Sequence, residues 1–274
     1  MATDVSDVKR SLDKQPLLFS QAPRYDFMLS FAALKNAADS GDASSQYLVG
    51  MSYYRGWKNC IIDKELGSRY ILLAAQQANT PAGICAQGQC FKFGLGNVVI
   101  KNLEKAKEYF VKAVDEGYIP ATEVLANTLY DEAVTTTTST GDLSGYTGEG
   151  TYSHTSTHTQ KDNEKLKTVI GLYIRGAEAG YSPSQCSLGE CYYEGDGVPK
   201  DYVEAMKLFK LAAQTGDAMA KNNIGSMYFN GYGVTSDTFE GARWWKLSAA
   251  QNCEAAKNNL KTQFGMFESC CTIL

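Results

Sequence analysis

The reading of the fold turns on residues 179–217, AGYSPSQCSLGECYYEGDGVPKDYVEAMKLFKLAAQTGD. The stretch reads as two short helices joined by a Gly-rich turn. Gly189 lies mid-way along the first helix and Gly195 stops it, while Ala212-Ala213 lies in the second. Gly216-Asp217 then returns, 36 residues on, to the kind of position held by Gly180-Tyr181. Small residues at Gly189 and Ala212-Ala213 let two helix axes come close, and Tyr192, Leu208 and Phe209 fill the ridges between them. One such helix pair cannot bury its apolar face. A stack of them can, as a continuous core.

The rest of the chain repeats this unit with errors. Val49-Gly50, Gln87-Gly88, Leu125-Ala126, Leu188-Gly189 and Ile224-Gly225 share the mid-helix position, with Gly50 to Gly88 spaced by 38 residues and Gly189 to Gly225 by 36. Three residues later stand Tyr53, Phe91, Leu129, Tyr192 and Tyr228, and six later the helix stops Gly56, Gly94, Gly195 and Gly231. The small pair of the second helix reads Ala37-Ala38, Ala74-Ala75, Ala113-Val114, Gly176-Ala177, Ala212-Ala213 and Ala249-Ala250, with turns expected at Gly41, Asn79, Gly117, Gly180, Gly216 and Asn252. A period near 36 built from such pairs predicts an all-α chain, a right-handed α-solenoid of about five helix–turn–helix units.

The pattern SLGECYYEGDGVPKDYVEA, and again KNNIGSMYFNGYGV, resembles the Sel-one-like repeat (SLR), a relative of the tetratricopeptide repeat. The resemblance covers residues 25–134 and 164–264. The first unit departs from it, with Trp57-Lys58-Asn59 in place of the second Gly and the Val, and the third loses its Gly loop. The chain therefore divides into a loose N-terminal arm (1–23), the solenoid (24–264) and a flexible tail (265–274). An insertion at 134–163 interrupts the solenoid. It is rich in Thr, Ser and Gly with almost no aliphatic residues, and is expected to be disordered and a candidate for phosphorylation.

Composition excludes several classes. The 274 residues are 44% apolar and 20% charged with net charge −4, enough for a sizeable core. No basic block offers phosphate contacts to a nucleic acid. The N-terminal MATDVSDVKR lacks the apolar segment of a signal peptide, and no apolar run approaches the roughly 18 residues of a membrane span. Eight cysteines without an export signal read as reduced thiols.

Little in the chain suggests catalysis. Cys85 and Cys90, like Cys186 and Cys191, are five apart and so point to different faces of a helix; they read as small packing residues rather than metal ligands. His154 and His158 are the only histidines, both in the insertion, which leaves no Ser-His or Cys-His set in the helical units. Gly195-Asp196-Gly197 is the turn of the repeat, not a phosphate loop. We expect no enzyme, no cofactor and no metal.

The sharpest local motif is Cys271-Thr272-Ile273-Leu274, which fits a C-a-a-X box whose terminal Leu favours geranylgeranylation of Cys271, in a prenylated and methylated lipoprotein. A single lipid chain binds membranes weakly, so palmitoylation of the adjacent Cys270 is the natural second signal. The expected location is the cytoplasmic face of a membrane, or the cytoplasm without the anchor. The SLR resemblance implies an adaptor with a concave groove lined by the first helix of each unit. By register Tyr54, Lys92, Tyr130, Tyr193 and Phe229 face that groove, beside the positions of Met51, Gln89, Asn127, Glu190 and Ser226. An aromatic ladder beside polar groups suits a protein or peptide partner. Other roles known in SLR proteins are soluble adaptors in signalling or quality control, prenylated fungal activators of chitin synthase, and β-lactam binding.

Overall fold

The computed structural model describes residues 29–95, 100–141 and 154–265, with the backbone alone for 135–141 and 154–160. The N-terminal arm and the tail with Cys270 and Cys271 lie outside the described residues. Among the described residues twelve helices follow one another: α1 (Phe31–Asp39), α2 (Ala43–Arg55), α3 (Lys64–Ala75), α4 (Pro81–Phe93), α5 (Leu103–Asp115), α6 (Ile119–Ala133), α7 (Asn163–Glu178), α8 (Ser182–Glu194), α9 (Tyr202–Gln214), α10 (Ala218–Asn230), α11 (Thr238–Ala249) and α12 (Glu254–Phe264). Each packs on the next, most closely within the pairs α2/α3, α4/α5, α6/α7, α8/α9 and α10/α11. The described residues form an all-α solenoid of five helix pairs, flanked by α1 and α12.

Local chemistry accounts for the hairpins. The first helices α2, α4, α8 and α10 end on left-handed glycines, Gly56, Gly94, Gly195 and Gly231, with φ of 69, 69, 76 and 74°. The second helices begin on side-chain caps: Asp63, Asn102, Asp201 and Asp237 accept from the first-turn amides. The same cap residues donate backwards. Asp63, Asn102, Asp201 and Asp237 N–H groups bond the carbonyls of Tyr53, Phe91, Tyr192 and Tyr228 at 2.8–2.9 Å. The aromatic position of the repeat is thus also where each loop is pinned.

In four of the five pairs the close approach is specific to glycine; α6 carries Ala126 at that position. A Cβ on Gly50 would lie 2.8 Å from Ile71, on Gly88 2.5 Å from Phe110, on Gly189 2.7 Å from Phe209, and on Gly225 2.6 Å from Trp245. Trp245 therefore holds the place of Phe209 in the last pair. That makes Ser248-Ala249 the small pair there, one residue earlier than the Ala249-Ala250 expected from sequence. Ser248 is fully buried and its hydroxyl donates to the Ala218 carbonyl at 2.6 Å. Asn252 takes the left-handed turn (φ 60°), whereas Asn79 does not.

A further correction concerns the insertion. The insertion is not structureless at its base. Strands β1 (Val134–Gly141) and β2 (His154–Lys161) form an antiparallel ribbon, from Val134 opposite Lys161 to Gly141 opposite His154. Thr is β-branched and favours extended backbone, and cross-strand pairing satisfies peptide groups without an apolar core. The ribbon departs from α6, which ends a turn late: the cap residue Asp162 donates to Ala133, not to Leu129 as the other units would require.

The first unit's loop, where the sequence departs from the repeat, has its own geometry. Trp57–Asn59 forms a 3-10 turn with Lys58 and Asn59 left-handed at φ 57 and 58°. Trp57 is fully buried, with its indole N–H 3.3 Å from Thr215 Oγ1 and its ring edge-on to Tyr181. The Asn59 amide donates to Gly216 and the Ile62 amide to Gln251. The solenoid coils so far that its first loop closes on its last two pairs.

Candidate functional site in the hollow of the superhelix

Coiling encloses a hollow of about 690 Å³, to which all five first helices contribute. Of the six residues expected in the groove, Lys92, Tyr130, Glu190 and Tyr193 line it. Tyr54 and Phe229 do not. Tyr54 stacks on Phe93 at 5.5 Å and meets Ser68 Oγ with its hydroxyl, beside α3. Phe229 packs on Trp245 and Phe264 at 5.1 and 6.0 Å. Its ring is taken up between α11 and α12 and does not face the hollow.

Each of the four has a defined setting. Lys92 donates to Thr128 Oγ1 at 3.1 Å, and burial pushes its ammonium below the usual lysine value. Tyr130 donates to Asp196, the middle residue of the Gly195-Asp196-Gly197 turn. Asp196 is buried and also accepts from Lys161 at the foot of the ribbon, so the insertion is clamped to the fourth unit. Tyr193 turns one edge to Tyr202 and Tyr232, which stack on each other at 4.9 Å. Glu190 accepts from Asn223 Nδ2 at 3.0 Å and weakly from the Cys186 thiol at 3.8 Å. Glu190 is exposed to the solvent of the hollow, and the protein around it holds its pKa above the usual range against the pull of Arg55.

Sequence reading missed the polar spine beneath the hollow. Arg55 of α2 forms an ion pair with Glu123 of α6, whose side chain is fully buried. Asn127 donates to the same carboxylate and accepts from the Tyr173 hydroxyl. Arg55 and Glu123 are 68 positions apart, and no local pattern couples them. The only trace in the sequence is an Arg at the end of α2 and a Glu mid-way along the apolar α6.

The cysteines Cys60, Cys85, Cys90, Cys186, Cys191 and Cys253 are buried and unbridged. Burial raises the thiols of Cys60 and Cys90 to about 11 and that of Cys191 to about 12. Such thiols are not nucleophiles near neutral pH. No cluster of three or more His, Cys, Asp or Glu with metal-site geometry occurs among the described residues. No helix among them is long and apolar enough to cross a membrane.

A tandem array of helix pairs with a hollow inner face defines a helical-repeat scaffold. The Sel1 repeat model matches residues 43–79, 84–118, 182–217 and 218–253, more than half of the chain, which belongs to the Sel1 repeat family, a family of protein-interaction scaffolds. The third pair, divided by the ribbon, is the one left unmatched. An uncharacterized Sel1-like repeat-containing protein of Schizosaccharomyces pombe is 24% identical over 254 residues, covering 71% of this chain and 37% of the relative. The chain thus spans little more than a third of that protein's length. Among solved structures, a Sel1 repeat protein from Oxalobacter formigenes is similar in fold, with a TM-score of 0.53, 21% identity, and 88% of this chain and 91% of that one covered. The protective antigen c5321 of uropathogenic Escherichia coli, described as displaying an SLR fold, matches with a TM-score of 0.49, 25% identity, and 87% and 45% coverage.

Proposed function

We propose that this protein is a non-enzymatic adaptor that holds an extended segment of a protein partner in the hollow, and that geranylgeranylation of Cys271 carries it to the cytoplasmic face of a membrane. One observation carries the first half. Lys92, Tyr130, Glu190 and Tyr193 come from three different helix pairs and line one cavity. Rings offer contact area at low entropic cost, while carboxylate, ammonium and amide groups set the register of a bound chain. The second half rests on the C-a-a-X sequence, with Cys270 as the site of a second acyl chain.

Affinity capture from cells with wild type and a Lys92→Ala, Tyr193→Ala double variant tests the hollow. Partners should be lost from the variant; the same partners at equal recovery would remove the hollow as their site. Fractionation in a yeast host tests the anchor. Wild type should sediment with membranes and Cys271→Ser should stay in the supernatant, and equal solubility of the two overturns the anchored reading.

A further inference from the structure

Charge in the hollow is not balanced. Two cations line it, Arg55 and Lys92, against three carboxylates, Asp131, Glu190 and Glu194. Arg55 is already taken by Glu123. Behind the wall, Asp217 is fully buried and shares the field of Arg55 with Glu190. Lys92 is spent on Thr128, with Asp131 near enough to act on it. Glu190 has only neutral donors, Asn223 and Cys186, and none of the three lining carboxylates forms an ion pair among the described residues. Glu190 and Glu194 are therefore exposed carboxylates, Glu190 with only the more distant field of Arg55, whose ion pair is with Glu123, and both are open to a cation from outside.

The walls suit one kind of cation. Tyr193 stands beside Glu190 and Glu194 on α8, and Tyr130 and the 45% exposed Phe93 line the same hollow. A guanidinium is planar, stacks on aromatic faces and offers a fork of donors to a carboxylate. We propose that the hollow recognises an arginine side chain of the bound segment, with Glu190 as its anchoring carboxylate and Glu194 and Tyr193 flanking it. This rests on the adaptor reading above and names the chemistry that reading leaves open.

The test is selection of a phage-displayed random heptapeptide library on the full-length protein, followed by binding measurements on the enriched peptides. Glu190→Gln keeps the shape and removes the charge, Glu190→Lys reverses it, and Tyr193→Ala marks occupancy of the hollow. Thermal melts confirm that each variant is folded. The expected result is arginine enriched at one peptide position, affinity reduced about tenfold or more by Glu190→Gln, and acidic peptides selected by Glu190→Lys. Peptides that depend on Tyr193 but carry no basic residue, and bind Glu190→Gln as well as wild type, overturn the arginine assignment and leave the adaptor reading standing. Peptides indifferent to both Tyr193→Ala and Glu190→Gln overturn both.

Discussion

Gln251, at the end of the fifth helix pair, donates its side-chain amide to the carbonyl of Gly56 at the end of α2, across 195 positions of sequence. The same amide reaches Gly216 at 3.0 Å, and its carbonyl oxygen accepts from Lys221, which in turn holds Asn59 at 2.7 Å. One buried side chain therefore ties the first unit to the last two. Gln251→Ala leaves the Gly56 carbonyl and the Lys221 ammonium short of a partner in a site where Gln251 is only 5% exposed. The expected cost is about 2–3 kcal/mol in urea denaturation. Hydrogen exchange should accelerate at the Asn59 and Ile62 amides and stay unchanged at the α4/α5 pair. Unchanged exchange at those two amides would show that closure does not depend on Gln251.

The Arg55–Glu123 pair makes a second, separable prediction. Glu123 is fully buried, so Arg55→Met leaves an uncompensated carboxylate and is expected to cost about 3–5 kcal/mol. Arg55→Met combined with Glu123→Gln removes both charges and should recover most of that loss, because a neutral amide still accepts from Asn127. A double variant no more stable than Arg55→Met would mean that α2 needs the guanidinium for packing and not for charge.

Glycines inside helices divide into two kinds, and substitution should separate them. Gly189→Ala places a methyl 2.7 Å from the buried Phe209 ring, and is expected to destabilise by about 1–3 kcal/mol, with partial recovery in Gly189→Ala, Phe209→Leu. Gly171 of α7 has nothing within 4 Å of its would-be Cβ, so Gly171→Ala should stabilise by about 0.5–1 kcal/mol. Equal and opposite midpoint shifts are not required; the two must differ in sign in the same urea titration.

These glycines also show what could be read from the chain alone. Gly50 and Gly88, and again Gly189 and Gly225, repeat at spacings of 38 and 36 because each makes the same contact in its own hairpin, so the periodicity carries the contact. Closure has no such trace. Trp57-Lys58-Asn59 stood out only as a departure from the repeat, and its meaning lies in Thr215 and Gly216, far along the chain. Register placed Lys92, Tyr130, Glu190 and Tyr193 in the hollow but also put Phe229 there, because register does not show that Trp245 and Phe264 take up that ring. The ribbon did have a local signal, two Thr-rich segments of β-branched residues, outweighed in the sequence reading by the lack of aliphatic ones.

The buried carboxylates make the stability depend on pH in a definite direction. Asp217 is fully buried; burial raises its pKa above the usual 3.8, against the pull of Arg55 and the amides it caps. A carboxyl with a raised native pKa holds its proton longer in the folded chain than in the unfolded one. Its favourable contribution is therefore complete below the unfolded value and is lost as pH rises through the native one. Asp217→Asn keeps an oxygen to cap α10 and removes the titration. In urea midpoints measured at intervals from pH 4 towards neutrality, wild type should lose ground steadily against Asp217→Asn and then run parallel to it. A difference that stays constant across the range, or grows in favour of wild type as pH rises, would place the native pKa of Asp217 at or below its unfolded value and make Arg55, not burial, the dominant influence on it.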